Sequence, residues 1–408
     1  MMTPQAKRKC LGCDAEAVEV LIDLGPQPPS NRFERAEAGP AETHPLVVGQ
    51  CQRCGLVQLL DPMPAPMAKS RFDWLTYNEP EGHLDDLVAR LRLLPGIEPS
   101  SRIVGLTYKD DTTLARFNRL GYANTYRYDA ARDLALSDPC AGLESIQGAI
   151  DEPLASRLVA RHGKADLLLV RHILEHAHQP RDFLRALRAL VKPDGYLVFE
   201  MPDCTKFIGA CDYSFLWEEH ITYFAESSLR AFLKKAGAEL QAIQLYPYPL
   251  EDSLIAIVRN SPAKVAALSA EPLAMLAAGR EFGARHPQTT QQMHGLFERW
   301  QQQGKRVAVF GAGHLAAKFV NFFRLGGYID CVIDDNARKQ ELLMPGSRLP
   351  IRGSATLDSR PIDLCLLSLN PESEQKVLAK NKPFVERGGQ FLSIFASSSR
   401  AVQKAATR

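Results

Sequence analysis

No run of about 18 consecutive apolar residues occurs in this 408-residue sequence, so nothing in it reads as a membrane-spanning helix. Nor is there an excess of either charge. Lys and Arg number 49 against 47 Asp and Glu, and the net charge of +2 provides no field suited to nucleic acid or an anionic membrane. No basic stripe with interleaved aromatics appears, and no repeat of solenoid period. Lys7, Arg8 and Lys9 have no apolar stretch behind them, so the N-terminus does not read as a secretory signal. Cys140, Cys204, Cys211, Cys331 and Cys365 are scattered and odd in number, which fits reduced thiols in a cytoplasm better than a disulfide framework.

The other four cysteines form two knuckles, Cys10-Leu11-Gly12-Cys13 and Cys51-Gln52-Arg53-Cys54. Each C-x2-C places two thiolates on one tight turn, and two such turns supply the tetrahedral sulfur set that structural Zn2+ prefers. Gly12 inside the first knuckle and Gly55 after the second ease these turns. The separation, Asp14 to Gln50, exceeds what a compact zinc ribbon needs and implies an insertion that includes Gly25-Pro26-Gln27-Pro28-Pro29. Two disulfides or four unrelated buried thiols are the alternatives. A closed four-sulfur site has no open position, so the metal would hold a fold together and do no chemistry.

The chain divides into a proline-rich zinc-binding block (1–80), a middle α/β block (81–260), a helical connection (261–303) and a second α/β block (304–408). In the middle block Arg102–Leu106, Ala165–Val170 and Tyr196–Glu200 read as strands. Leu114–Leu120 and Pro180–Leu190 read as helices, and Asp194-Gly195 as a turn. This alternation implies a parallel sheet covered by helices.

Two clusters in the middle block carry chemistry. Phe215-Leu216-Trp217-Glu218-Glu219-His220-Ile221-Thr222-Tyr223-Phe224 crowds carboxylates, a histidine and aromatic rings beyond a strand end, where open parallel sheets bind ligands. His220 is suited to taking a proton near neutral pH, with an adjacent carboxylate to set its tautomer; otherwise it is a packed histidine at a helix start. The second cluster, Arg171 to His178, holds three histidines, with His172 and His176 at i and i+4. No further metal ligands are evident for it, so it reads as a polar loop over the sheet. In the last block, Gly311-Ala312-Gly313-His314 follows a strand and opens a helix, and Asp334-Asp335 comes about 20 residues later, as in a dinucleotide-binding unit.

Taken together, Pro29-Ser30-Asn31-Arg32-Phe33, Val170 to Pro180, Lys192-Pro193-Asp194-Gly195, Glu219-His220 with Tyr223-Phe224, and Asp334 to Pro350 resemble the class I S-adenosylmethionine-dependent C-methyltransferases of nucleotide-linked keto-deoxysugars. The resemblance covers nearly the whole chain. It implies an α/β fold with a Rossmann-like methyltransferase domain in the centre, a small four-cysteine zinc domain before it and a C-terminal Rossmann-like domain. The implied cofactors are S-adenosyl-L-methionine and Zn2+, and the implied partner is a small-molecule nucleotide-sugar. It makes His220 the base that removes a proton beside a sugar ketone, Glu219 its orienting partner and Tyr77 an aid to the enolate. It puts Asp110 and Asp129 at the methyl donor, and Tyr223, Gly311, Gly313 and His314 at the sugar nucleotide. Trp217 stands where the family has tyrosine.

The donor loop departs from the family pattern. Gly105 replaces an acid, and Thr107 and Asp111 replace glycines that let backbone approach the donor. Side chains there would occupy space that the donor's amino-acid portion fills. Either the loop has reshaped around the donor, or the domain binds a sugar nucleotide without methylating it. A third reading is an NAD(P)-dependent enzyme using the Gly311/Gly313 loop. Oligomeric state is not legible.

Overall fold

The strand Ala165–Arg171 is apolar almost without interruption, Leu167 to Val170 being fully buried, because it lies inside a parallel sheet covered on both faces. It belongs to a computed structural model that describes residues 8–39, 41–75, 79–261 and 273–406. Tyr77 and residues 262–272 of the expected helical connection lie outside the described residues.

Two compact units emerge, and the chain passes between them several times. The first comprises Met1–Val20, Val48–Thr205 and Glu219–Ala277; the second Leu21–Val47, Lys206–Glu218 and Ala278–Arg408. The strands β1 (Val18–Gln27) and β2 (His44–Cys51) run from one unit into the other. The expected insertion between the knuckles is therefore strand at both ends, β1 continuing through Gly25 to Gln27 and β2 beginning at His44.

In the first unit, β2 pairs antiparallel with β3 (Val57–Leu59), Val48 opposite Leu59. The six-stranded sheet of this unit contains β4 (Ile103–Gly105), β5 (Thr125–Arg127), β6 (Ala165–Arg171) and β7 (Val191–Asp203). A short β8 (Thr222–Tyr223) pairs with β3 instead. With β9 (Glu239–Tyr246) and β10 (Asp252–Arg259) the order is β5-β4-β6-β7-β10-β9. The first four strands are parallel, and β10 is antiparallel to both its neighbours. The register of β6 on β7 shifts from Ala165↔Val191 to Leu167↔Tyr196, so residues 192–195 form the expected turn inside the strand, with Asp194 at φ 62°.

The helix expected over Leu114–Leu120 begins earlier than the apolar pattern suggests, at Asp111, and ends at Arg119. A tight turn, Tyr108–Asp110, starts it, with the Thr107 side chain accepting from the Lys109 amide. The helix Pro180–Ala189 opens on proline, which has no N–H to leave unsatisfied, and buries Phe183, Leu184 and Leu187.

The second unit contains a five-stranded parallel sheet. Its strands are β11 (Val307–Phe310), β12 (Cys331–Ile333), β13 (Ile351–Arg352), β14 (Leu364–Leu367) and β15 (Gln390–Ser393), ordered β13-β12-β11-β14-β15. The helix Leu273–Gln302 precedes it. No helix among the described residues is long and apolar enough to cross a membrane.

Candidate active site and zinc centre

The two knuckles converge. Cys10 and Cys54 Sγ lie 3.6 Å apart, as do Cys13 and Cys51, all four sulfurs lie within 4.8 Å of one another, and all are buried. Tetrahedral Zn–S bonds of about 2.3 Å place sulfurs roughly 3.8 Å apart, so the set fits Zn2+ and is too open for disulfides. Hydrogen bonding to the other three sulfurs, with burial, pushes the Cys54 thiol up, a crowding that a bound dication relieves. The left-handed residue after the second knuckle is Gly55 (φ 75°), as expected, whereas after the first it is Asp14 (φ 66°). Gly12 serves close approach instead: a Cβ there would meet Leu56 at 2.9 Å.

Beyond β4, the donor loop is held by Asp110. This carboxylate is fully buried; Oδ2 accepts the amides of Leu106 (2.8 Å) and Thr107 (2.9 Å), and Oδ1 that of Arg171 (3.2 Å). Burial pushes it up to about 6 against these amides. Asp110, expected at the donor, thus shapes the loop from inside. A Cβ on Gly105 would sit 2.8 Å from that of Asp110, so the missing acid at 105 is the space Asp110 occupies. Thr107 is 1% exposed and Asp111 pairs with Arg127 at 2.8 Å, so one side chain turns inward and the other is neutralised. The steric and electrostatic objections to the donor are reduced accordingly. Asp129, after β5, has one carboxylate hydrogen bond among the described residues, from the Arg132 amide at 2.7 Å, which fits a carboxylate receiving a ribose diol.

Beneath the loop runs a buried charge network that sequence reasoning missed. Glu200 on β7 meets Arg171, His172 Nε2 (3.2 Å), His83 Nε2 (3.1 Å) and Ser253 Oγ (2.9 Å). Arg171 also donates to the Lys109 carbonyl in the loop. Burial would lower His172, but Glu79, Glu175 and Glu200 around it raise it to about 10.

Of the three histidines expected to form a polar loop, His172 and His176 are buried and separate in purpose, while His178 is half-buried. His172 joins Glu200, whereas His176 turns toward His220, ring centroids 4.7 Å apart and edge-on. Ligand-type atoms of Glu175, His176 and His220 lie within 4.8 Å of one another. Tyr223 is buried with its ring centroid 5.9 Å from that of His220. Glu144 Oε1 lies 3.4 Å from His176 Nδ1. Burial pushes Glu144 up, but hydrogen bonding with His176 and Glu219 outweighs it and holds the carboxyl below its usual range. Glu144 and Glu175 carried no motif signal; only the unexplained i, i+4 histidines pointed here.

The remaining expected residues belong to the second unit. Gly311 has φ 103°, and a Cβ on it would meet Leu369 at 2.6 Å; Gly313 caps the helix His314–Phe322. Trp217, in place of the family's tyrosine, lies against the His314 ring, centroids 3.4 Å apart. Burial, with Lys318 and Lys339 nearby, keeps His314 neutral. Buried Glu218 pairs with buried Lys318. Asp334, the acid a dinucleotide ribose would need, accepts from Ala312 N at 3.0 Å and lies 3.1 Å from Lys339 Nζ. Asp335 is likewise engaged, by the Ser354 amide and Lys380.

A parallel sheet with a donor loop after one strand and an acid after the next, joined to a closed four-sulfur centre, defines a zinc-stabilised S-adenosylmethionine-dependent methyltransferase of class I. Family models match in the same order: a zinc binding domain over residues 10–66, a methyltransferase domain over 65–243, and the C-methyltransferase C-terminal domain over 261–395. The chain belongs to this zinc-binding C-methyltransferase family. It is 24% identical over 401 residues to C-methyltransferase NovU of Streptomyces niveus, spanning 94% of both chains. Weaker likenesses extend to magnesium protoporphyrin IX methyltransferase of Synechocystis (15% identity, 46% of this chain and 90% of that one, TM-score 0.31). The 1,6-didemethyltoxoflavin-N1-methyltransferase of Burkholderia thailandensis is comparable (15%, 44% and 79%, TM-score 0.30). Nothing about this chain follows from likenesses that low.

Proposed function

We propose that this C-methyltransferase acts on a nucleotide-linked keto-sugar, with His220 as the base. The observation that carries the reading is the burial of His220, 9% exposed, against His176 and Tyr223 in the same compact unit as the donor loop. A carbon beside a ketone becomes nucleophilic when its proton is removed, and a neutral imidazole is matched to that task. His220 takes the proton, and Tyr77 is positioned by the resemblance to steady the enolate oxygen. S-adenosylmethionine, when bound, supplies the sulfonium methyl that the carbanion takes, leaving the electron pair on sulfur. Asp129 holds the donor's ribose, while Asp110 keeps the loop in shape. Tyr223, its ring centroid 5.9 Å from that of His220, is assigned to the sugar nucleotide. Engagement of Asp334 and Asp335 by the protein itself favours this over an NAD(P) enzyme.

The test is transfer of a labelled methyl to a panel of nucleotide-linked keto-deoxysugars, with S-adenosylhomocysteine affinity by calorimetry. His220→Ala should lower turnover by roughly a hundredfold or more while leaving that affinity within a few fold. Turnover retained in this variant would remove His220 from the role, and no labelled product from any keto-sugar would remove the substrate class.

A further inference from the structure

The turn Leu174–His176 follows β6 directly, and its middle residue is a carboxylate 2% exposed, with both oxygens buried and neither hydrogen-bonded. The turn is fastened to the segment that bears the base, since the Ile221 amide donates to the Glu175 carbonyl at 2.7 Å. One of its carboxylate oxygens lies within 4.8 Å of a ring nitrogen of His176 and of one of His220. An ionised carboxylate buried without donors is costly, and the cost falls when a neighbouring ring gains a proton.

Resting on the reading of His220 as base, we propose that Glu175 is its positioning residue, the counter-charge for the imidazolium that forms when His220 takes the substrate proton. Glu219, adjacent in sequence, also hydrogen-bonds Glu144 and acts on Tyr108 of the donor loop. The groups facing this site are His172 and His176 from the β6 end, Glu144 from the helix Leu143–Ala149, Tyr108 from the donor loop, and Glu219 and Tyr223 from the base's own segment. Of these, His172 Nδ1 lies 3.7 Å from Glu175 Oε1, an ion-pair distance beyond hydrogen-bond reach. Behind it stand Glu200, paired with Arg171 and His83, and Glu79.

The test uses full-length, zinc-loaded protein with 15N-labelled histidine, titrated by NMR, the His220 signal being assigned by its loss in His220→Gln. In Glu175→Gln the His220 pKa should fall by one unit or more. The acid limb of kcat/KM should move to lower pH by the same amount, with KM for the donor unchanged. Glu219→Gln should move the His220 titration less than Glu175→Gln does, and Glu175→Asp should give an intermediate shift even if the glutamine variant folds poorly. An unchanged His220 titration in folded Glu175→Gln and Glu175→Asp would overturn the proposal. So would a second metal per chain by elemental analysis, which would make Glu175, His176 and His220 a ligand set. Loss of the base reading is a separate outcome, because it shows as His220→Ala turnover while the NMR titration still reports the coupling of Glu175 to His220.

Discussion

His172 sits at φ 51°, a strained conformation for a residue with a side chain, and is enclosed by Glu200, Glu175 and Glu79. Its proton is part of what holds the β6 and β7 ends together. Because its folded pKa, about 10, lies above the unfolded value near 6.5, the stability it contributes is fully present below about pH 6.5 and is lost as pH rises through about 10. Unfolding free energy, followed by urea titration, should therefore decline between pH 7 and 10 by on the order of 2 kcal/mol. The same measurement on His172→Asn should give a lower but flatter curve. An equal slope in both proteins would locate the titration elsewhere.

The donor loop shows how one element compensates for an unusual sequence. A strand-end acid is absent at Gly105, and Asp110 fills that volume while tying down two loop amides and the Arg171 amide. The backbone is thereby held by three hydrogen bonds to one buried carboxylate. Gly105→Ala inserts a methyl 2.8 Å from the Asp110 Cβ and 3.0 Å from Leu114 Cδ1. It should cost about 1–3 kcal/mol by overpacking, read as a thermal shift, and weaken S-adenosylhomocysteine about tenfold by calorimetry. Asp111 is different in kind. Its partner Arg127 is on the neighbouring strand, half-exposed, so this pair is surface electrostatics and contributes little to stability.

At the level of the molecule, the zinc centre is part of a core. Cys10, Cys13, Cys51 and Cys54 pack in one apolar cluster with Leu56, Val104, Phe224 and Phe232, which links the knuckles to the methyltransferase sheet. Cys13→Ser should lose zinc by elemental analysis and lower Tm by roughly 10 °C or more, with methyl transfer lost in parallel. Chelation of the native protein should reproduce this, and re-addition of Zn2+ should reverse it. Zinc content unchanged in the serine variant would refute the four-sulfur assignment.

What the sequence determined alone was whatever depends on neighbours along the chain. The knuckle spacing named the four clustered cysteines, the uniform apolar run Leu167–Val170 named a central strand, and Glu219-His220 marked the segment to which the proposed base belongs. The turn at Asp194-Gly195 was legible for the same reason, since a left-handed residue is a local requirement. Tertiary structure alone decided the partners. It turned Asp110 inward, tied Asp334 to the Ala312 amide and Lys339 and Asp335 to the Ser354 amide and Lys380, parted His172 from His176, and brought Glu144 and Glu175 to His176 and Glu175 to His220. It also decided which segments share a compact unit, which contiguous blocks of sequence do not reveal. The physical reason is that buried charges must find compensation wherever the fold brings it, and that search joins residues with no periodic or spacing relation in the chain.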